Sequence, residues 1–250
     1  MKTILIFGAG SVGIAVGKTY LEQGYRVALC DSRTDVLAKA QKALVQAAII
    51  PVENPADPTQ ITKITDDAAE TLGGLDVYAH TLTYDDFVPF SEMGWEDYRK
   101  VRSINLDLPF LWGQIVGKKM AELGNGGEII YTLSDACTGQ EPEEVARCAT
   151  HWAAKGLIRS MAVVLGHKGI AVNAVCPGAL NTPEEKEKWA KIAAFRGVTT
   201  RKLLAEKKAR SLTGTLQTAE DVAALHSFLT DEAINISGQA LLLNGGAAFN

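Results

Sequence analysis

Cysteine is scarce: 4 in 250 residues. Cys30, Cys137, Cys148 and Cys176 form no C-x-x-C pair and no Cys/His ligand spacing. They read as buried reduced thiols of a cytoplasmic protein, which leaves no metal site and no disulfide framework. Positive charge is not in surplus either. Lys and Arg total 25 against 29 Asp and Glu, a net charge of -4, so a general nucleic-acid binder is excluded. No apolar run approaches the roughly 20 residues that cross a bilayer. The apolar start MKTILIF breaks at Gly8 and Gly10 with no cleavage-like site after it, which argues against a signal peptide. Low-complexity linkers, internal repeats and breaks in composition are also missing, so residues 1–250 read as a single domain.

What is present is alternation. TILIFG (3–8), YRVALC (25–30), AAIIPV (47–52), LDVYAH (75–80), GEIIYTL (127–133), IAVNAV (170–175) and QALLLN (239–244) are short apolar runs. Most are continuous, as buried parallel strands are. Helical patterns lie between them at 12–23, 34–46, 59–72, 95–122, 150–166 and 218–230. This order predicts an α/β fold, a doubly wound parallel sheet of seven strands with helices on both faces. The charged segment 178–217 interrupts the alternation and reads as a lid-like insertion.

GAGSVG (8–13) follows the first strand and opens a helix. In this G-x-G-x-x-G spacing Gly8 permits the tight turn. Gly10 lets the backbone approach a pyrophosphate, and Gly13 lets the helix pack on the strand. Ser11 and Val12 fill the helix N-terminus, which attracts phosphate. Asp31 ends the second strand at the distance where a carboxylate meets the adenosine ribose. A carboxylate there repels a 2′-phosphate, so the spacing predicts a Rossmann-type site for NAD over NADP. Arg33, two residues on, pulls the other way.

Five further stretches carry a resemblance. They are LDVYAH, WEDYRKVRSINLDLPFL (95–111), GEIIYTLSDA (127–136), GIAVNAVCPGALNT (169–182) and ISGQALLLNGG (236–246). Together with the glycine loop they resemble the short-chain dehydrogenase/reductase family over nearly the whole chain. The resemblance implies an NAD-linked oxidoreductase of hydroxyl or keto groups. It makes Ser134 the hydrogen-bond partner of the substrate oxygen, Asn105 the holder of a relay water and Lys155 the ligand of the nicotinamide ribose. It also carries Asn54 (or Glu53) to the adenine and His80, Pro177, Gly178 and Thr182 to the cofactor groove. In THWAAK (150–155) Lys155 matches the lysine of the family's Y-x-x-x-K, which leaves His151 at the tyrosine. There are other departures. Phe7 replaces a threonine before a loop one residue shorter, and HTLT (80–83) replaces N-N-A-G. Four extra residues around the acidic QEPEE (140–144) separate Ser134 from position 151.

A neutral imidazole is a base, and its ordinary pKa of about 6.5 suits oxidation of an alcohol at physiological pH. Lys155, one helical turn away, is expected to keep His151 neutral. An imidazole is shorter than a phenol, however, so His151 would need a bridging water to reach the substrate. Ser134 and His151 also suggest a hydrolase pair, but no G-x-S-x-G elbow surrounds Ser134. Asp135 would point to the opposite side of an extended strand. His80, His167 and His226 carry no ligand spacing and by themselves read as surface or loop residues.

Residues 196–210 are basic, with Arg196, Arg201, Lys202, Lys207, Lys208 and Arg210. They read as a solvated face or as recognition of an anionic substrate such as an acyl-CoA. Trp189, Ile192 and Phe195 form an apolar stripe that could pack over the site. The family resemblance implies a homo- or hetero-oligomer. Ala149, Ala153, Ala154, Gly156 and Ser160 would permit close packing of helices across its interface. Without its tyrosine, the chain resembles the supporting subunits of two-gene dehydrogenases, including those of anaerobic aromatic acyl-CoA degradation. The expected function is therefore a non-catalytic subunit beside an active paralogue. The alternative is a working enzyme that uses His151 or a water as acid/base.

Overall fold

The computed structural model describes residues 1–84, 87–139, 144–232 and 235–249. Glu144 is therefore described, while positions 140–143 of the acidic run lie outside the described residues. Seven strands form one parallel sheet: β1 (Thr3–Phe7), β2 (Arg26–Asp31), β3 (Ala48–Pro51), β4 (Val77–His80), β5 (Gly127–Thr132), β6 (Ile170–Pro177) and β7 (Ala240–Leu243). Their order is β3-β2-β1-β4-β5-β6-β7. The chain thus starts at the centre, winds outward one way, and returns across β1 to wind the other way. The crevice where that order reverses lies beyond the carboxyl ends of β1 and β4, the usual ligand position in such sheets.

Helices α1 (Ser11–Glu22), α2 (Thr34–Ala43), α3 (Pro58–Leu72), α4 (Trp95–Arg102), α5 (Leu108–Leu123), α6 (Val145–Gly166) and α9 (Ala219–Asp231) make the crossovers. One apolar core joins β1, β4 and β5 to α3, α5 and α6 through Phe7, Tyr78, Trp112, Tyr131 and Ile158. A second core packs α1 and α2 on the other face through Ile4, Ile6, Val16, Tyr20 and Leu37. The periodic helix expected at 95–122 is interrupted by a π-helical turn, Ser103–Asp107. The extra residue in that turn rotates Asn105 inward, and it is buried.

The segment read as a lid-like insertion, 178–217, holds two helices, α7 (Pro183–Phe195) and α8 (Thr200–Arg210). Each begins at a threonine cap, Thr182 and Thr199. Trp189 and Ile192 are buried in a small core with Leu203, as the stripe predicts, but Phe195 is 56% exposed because the helix ends there. Two of the histidines taken as surface residues are buried as well. His80 ends the central strand β4 among Phe7, Tyr78 and Tyr131. His226 lies on the sheet-facing side of α9, where its Nε2 is 3.0 Å from Thr132 Oγ1. His167 is exposed. Cys30, Cys137 and Cys176 are buried free thiols, while Cys148 is half-buried.

Candidate active site

The glycine loop is shaped as its spacing predicts. Gly8 has φ +111°, and a Cβ there would meet the Leu82 nitrogen at 2.5 Å. A Cβ on Gly13 would lie 1.8 Å from the Gly8 carbonyl oxygen. No side chain fits at either position. Val12 is partly buried and packs against two apolar clusters.

The groups expected to meet a dinucleotide are engaged by the protein. Asp31 is fully buried. One of its oxygens accepts from the Arg33 backbone N–H and Nε, each at 2.9 Å. The other accepts from the Ala9 N–H at 2.7 Å and Arg33 Nη2 at 2.6 Å. Burial alone would raise its pKa, but the bonds from Arg33 and Ala9 hold it below the ordinary carboxylate range. At the loop itself, Ser11 donates its N–H and hydroxyl to Glu184, from the first turn of α7. Asn54 is exposed, and its Oδ1 accepts from the Ala56 N–H at 3.1 Å. His80 Nδ1 pairs with the Tyr78 hydroxyl at 2.9 Å within the core. Thr182 caps α7, and Gly178 packs so close to Asn244 and Gln217 that a Cβ would lie 2.9 Å from each. Pro177 closes β6 beside it.

At the other end of the groove, α6 packs against both the π turn and a short 3₁₀ turn, Asp135–Cys137. Asn105, Ser134, His151 and Lys155 come from these three elements, and all four are buried. The Asn105 amide clamps the loop after β4, accepting the Tyr84 N–H and donating to the Tyr84 carbonyl, both at 2.8 Å. Ser134 caps the 3₁₀ turn, accepting the Ala136 N–H at 3.1 Å. Its hydroxyl donates to the Asp135 carboxylate at 3.3 Å. Asp135 therefore does not point away from Ser134. The strand ends at Thr132, and the turn folds the carboxylate back. The Lys155 ammonium lies 5.4 Å from the centre of the Trp152 ring.

His151 is 1% exposed, and among the described residues neither ring nitrogen has a hydrogen-bond partner. Burial pushes its pKa down to about 3, and the positive charges of Arg147 and Lys188 push the same way against Glu144. Lys155 is not the cause of its neutrality. The hydrolase pairing fails as well, because no bond joins Ser134 and His151. The rings of Tyr131 and Tyr84 make other contacts. Tyr131 donates to the Pro109 carbonyl at 3.0 Å, and the Tyr84 ring lies 4.4 Å from the Lys100 ammonium.

Beside His151 is a charged cluster that no spacing rule singled out in advance. Glu144 binds Arg147 at 2.7 Å and Lys188 at 2.8 Å, and Lys188 also meets Glu185 at 3.1 Å. Burial opposes the charge on Glu144, but Arg147, Lys188 and Lys207 hold it well below the ordinary carboxylate range. Arg147 precedes His151 by four residues on one face of α6, and Glu144, seven before it, stands just ahead of that helix. That spacing was the available signal. The cluster lines a narrow cleft of about 30 Å³, which Lys207 and Arg210 of α8 also reach. The basic run thus divides: Arg196 pairs with Glu206 at 2.9 Å, and Arg201, Lys202 and Lys208 face solvent.

A doubly wound sheet with a glycine loop at its first crossover defines a dinucleotide-binding α/β protein. The profile of the family described as enoyl-(acyl carrier protein) reductase matches residues 8–248. The chain belongs to the short-chain dehydrogenase/reductase family. It is 29% identical to L-2,3-butanediol dehydrogenase of Corynebacterium glutamicum, over 97% of this chain and 96% of that one. Its fold matches that of an actinorhodin polyketide ketoreductase solved with NADPH. There the TM-score is 0.92 at 23% identity, over 98% of this chain and 97% of that one. An NAD⁺-bound xylitol dehydrogenase gives 0.91 at 21% identity, over 98% of both chains.

Proposed function

We propose that this chain is a subunit of a nicotinamide-dependent oxidoreductase that interconverts a hydroxyl and a keto group, and that its own site does not carry the proton transfer. The observation that carries this reading is His151. It stands four residues before Lys155, where the family's tyrosine would stand. A bound NAD or NADP supplies a hydride acceptor or donor, but the alcohol proton still needs a carrier in the protein. An imidazole whose pKa is pressed to about 3 neither holds a proton to give near neutral pH nor readily takes one up. Ser134 and Lys155 remain able to orient an oxygen and a ribose. NAD is the cofactor of this reading, on the strength of the Asp31 carboxylate at the end of β2.

A partner with an intact Y-x-x-x-K would then supply the chemistry. Phe110, Trp152, Val163 and Val164 are exposed apolar residues on α5 and α6, and a Cβ built on Gly156 of α6 would meet open space. Such a face supports pairing with another subunit. Lys207 and Arg210 at the cleft support an anionic substrate, an acyl-CoA among the candidates. Residues 1–250 act in this reading as one cytoplasmic domain with α7 and α8 as its lid.

The test is turnover of NAD with secondary alcohols and polyols by the isolated chain, beside the complex that copurifies from native expression. The lone chain should be silent and the complex active. A lone chain turning over at about 1 s⁻¹ or more, an ordinary enzyme rate, would overturn the reading. The second reading is a working enzyme with a His151-held water. It draws support from the shared burial of Asn105, Ser134 and Lys155, which the packing of α6 on the π turn and the 3₁₀ turn brings together. It predicts activity in the lone wild-type chain that rises in His151→Tyr.

A further inference from the structure

The phosphate cradle of the glycine loop already holds an anion, and the chain supplies it. Ser11 is the first residue of α1, where backbone N–H groups lack partners within the helix and the dipole is positive. Its N–H donates to Glu184 Oε1 at 3.2 Å, and its hydroxyl lies 3.0 and 2.9 Å from the two carboxylate oxygens. A Cβ built on Gly10 would be 3.5 Å from the same Oε1. The carboxylate therefore fills the approach that the second glycine of the motif leaves open.

We propose that Glu184 is a built-in occupant of this cradle, so that a dinucleotide binds the chain only by displacing it. The inference rests on the nicotinamide reading of the groove. Glu184 is aimed by local structure: Thr182 caps α7, Pro183 starts it, and Glu184 follows in the first turn. It consequently lies between two helix N-termini, those of α7 and α1, and both favour a carboxylate. A pyrophosphate needs the same donors and brings the same sign of charge. Glu184 is solvent-exposed, so it can swing aside. Its displacement weakens binding without forbidding it.

Calorimetric titration of the full chain with NAD, ADP and adenosine tests this. Glu184→Ala and Glu184→Gln should bind NAD and ADP at least tenfold more tightly than wild type, with adenosine unchanged because it carries no phosphate. Glu187→Gln removes the same charge from an exposed position on α7 and should leave every affinity within twofold. Thermal melts confirm that each variant is folded. The proposal is overturned if both Glu184 variants bind NAD within twofold of wild type, or if adenosine gains as much as ADP. It is equally overturned if Glu187→Gln reproduces the gain, or if neither wild type nor variants bind NAD at millimolar concentration. That last result would leave the non-catalytic reading standing. Turnover by the lone chain would remove the non-catalytic reading, while the Glu184 comparison still decides the cradle.

Discussion

The two ends of the groove are closed by the same kinds of side chain in opposite surroundings. At the adenosine end, Arg33 covers Asp31 with 43% of its side chain exposed, and Glu184 reaches Ser11 through solvent. At the reaction end, Glu144 and Lys188 are 4% and 3% exposed and lie against a buried histidine. The covering side chains Arg33 and Glu184 reach water even though Asp31 beneath is buried, so the first closure can be undone by one substitution. Buried pairs have lost their water and are costly to break. The second closure is thus part of the fold, and no single change at position 151 would restore an open site.

The largest effect should come from breaking the buried cluster. Glu144→Gln leaves Arg147 and Lys188 with one carboxylate fewer in a site that water barely reaches. Removing one partner of a buried pair costs about 3–5 kcal/mol, to be read as a fall in the denaturant midpoint. Glu184→Gln at the exposed end should cost no more than about 0.5 kcal/mol, as surface changes do. Equal costs at the two sites would erase the contrast.

Acidification should sharpen the same contrast. His80, His151 and His226 are all pushed down to about 3 by burial, from an ordinary 6.5. Below pH 6.5 the unfolded chain binds protons at these positions and the folded chain does not. Stability therefore falls as pH drops from 6.5 toward 3, by at most about 1.4 kcal/mol per pH unit for each histidine. Glu128, raised to about 7 by burial, works the other way between 7 and 4.5. Three groups against one leave a net loss, and Tm should be lower at pH 5.5 than at pH 7. His151→Gln should flatten that slope, and a wild-type Tm unchanged over this range would show that these imidazoles are not held neutral by the fold.

The sheet was legible because buried parallel strands are continuous apolar runs, and all seven came within three residues of their expected bounds. The glycine loop was legible because its three glycines answer a local steric demand. What was not legible depends on contacts far apart in sequence. Glu184 is 173 residues from Ser11, and nothing in TPEEKEK says which way the first-turn glutamate points. T-P-E-E does announce the start of a helix. The burial of His226 follows from α9 packing on β5, and a single histidine has no periodicity to reveal that. Asp135 was misplaced because the strand stops two residues short of Ser134, and a carboxylate in a turn is not bound by strand alternation.

The smallest effect concerns cofactor choice, and Arg33 decides it. All four acceptor positions of Asp31 are used, two by backbone N–H groups and two by the Arg33 guanidinium. As the chain stands, Arg33 holds acceptors that a ribose hydroxyl would use and sets a cation beside the carboxylate, which weakens the preference for NAD that Asp31 gives. Arg33→Ala keeps both backbone bonds and vacates one acceptor on each oxygen. NAD should gain and NADP should lose, moving the ratio of their dissociation constants by about tenfold, the value of one charged hydrogen bond of about 1.4 kcal/mol. The measurement is best made in the Glu184→Ala background, where binding is expected to be strong enough to titrate. A ratio that stays put would mean that the Arg33–Asp31 pair holds only the loop and takes no part in choosing the nucleotide. The adenosine end would then be closed by Glu184 alone.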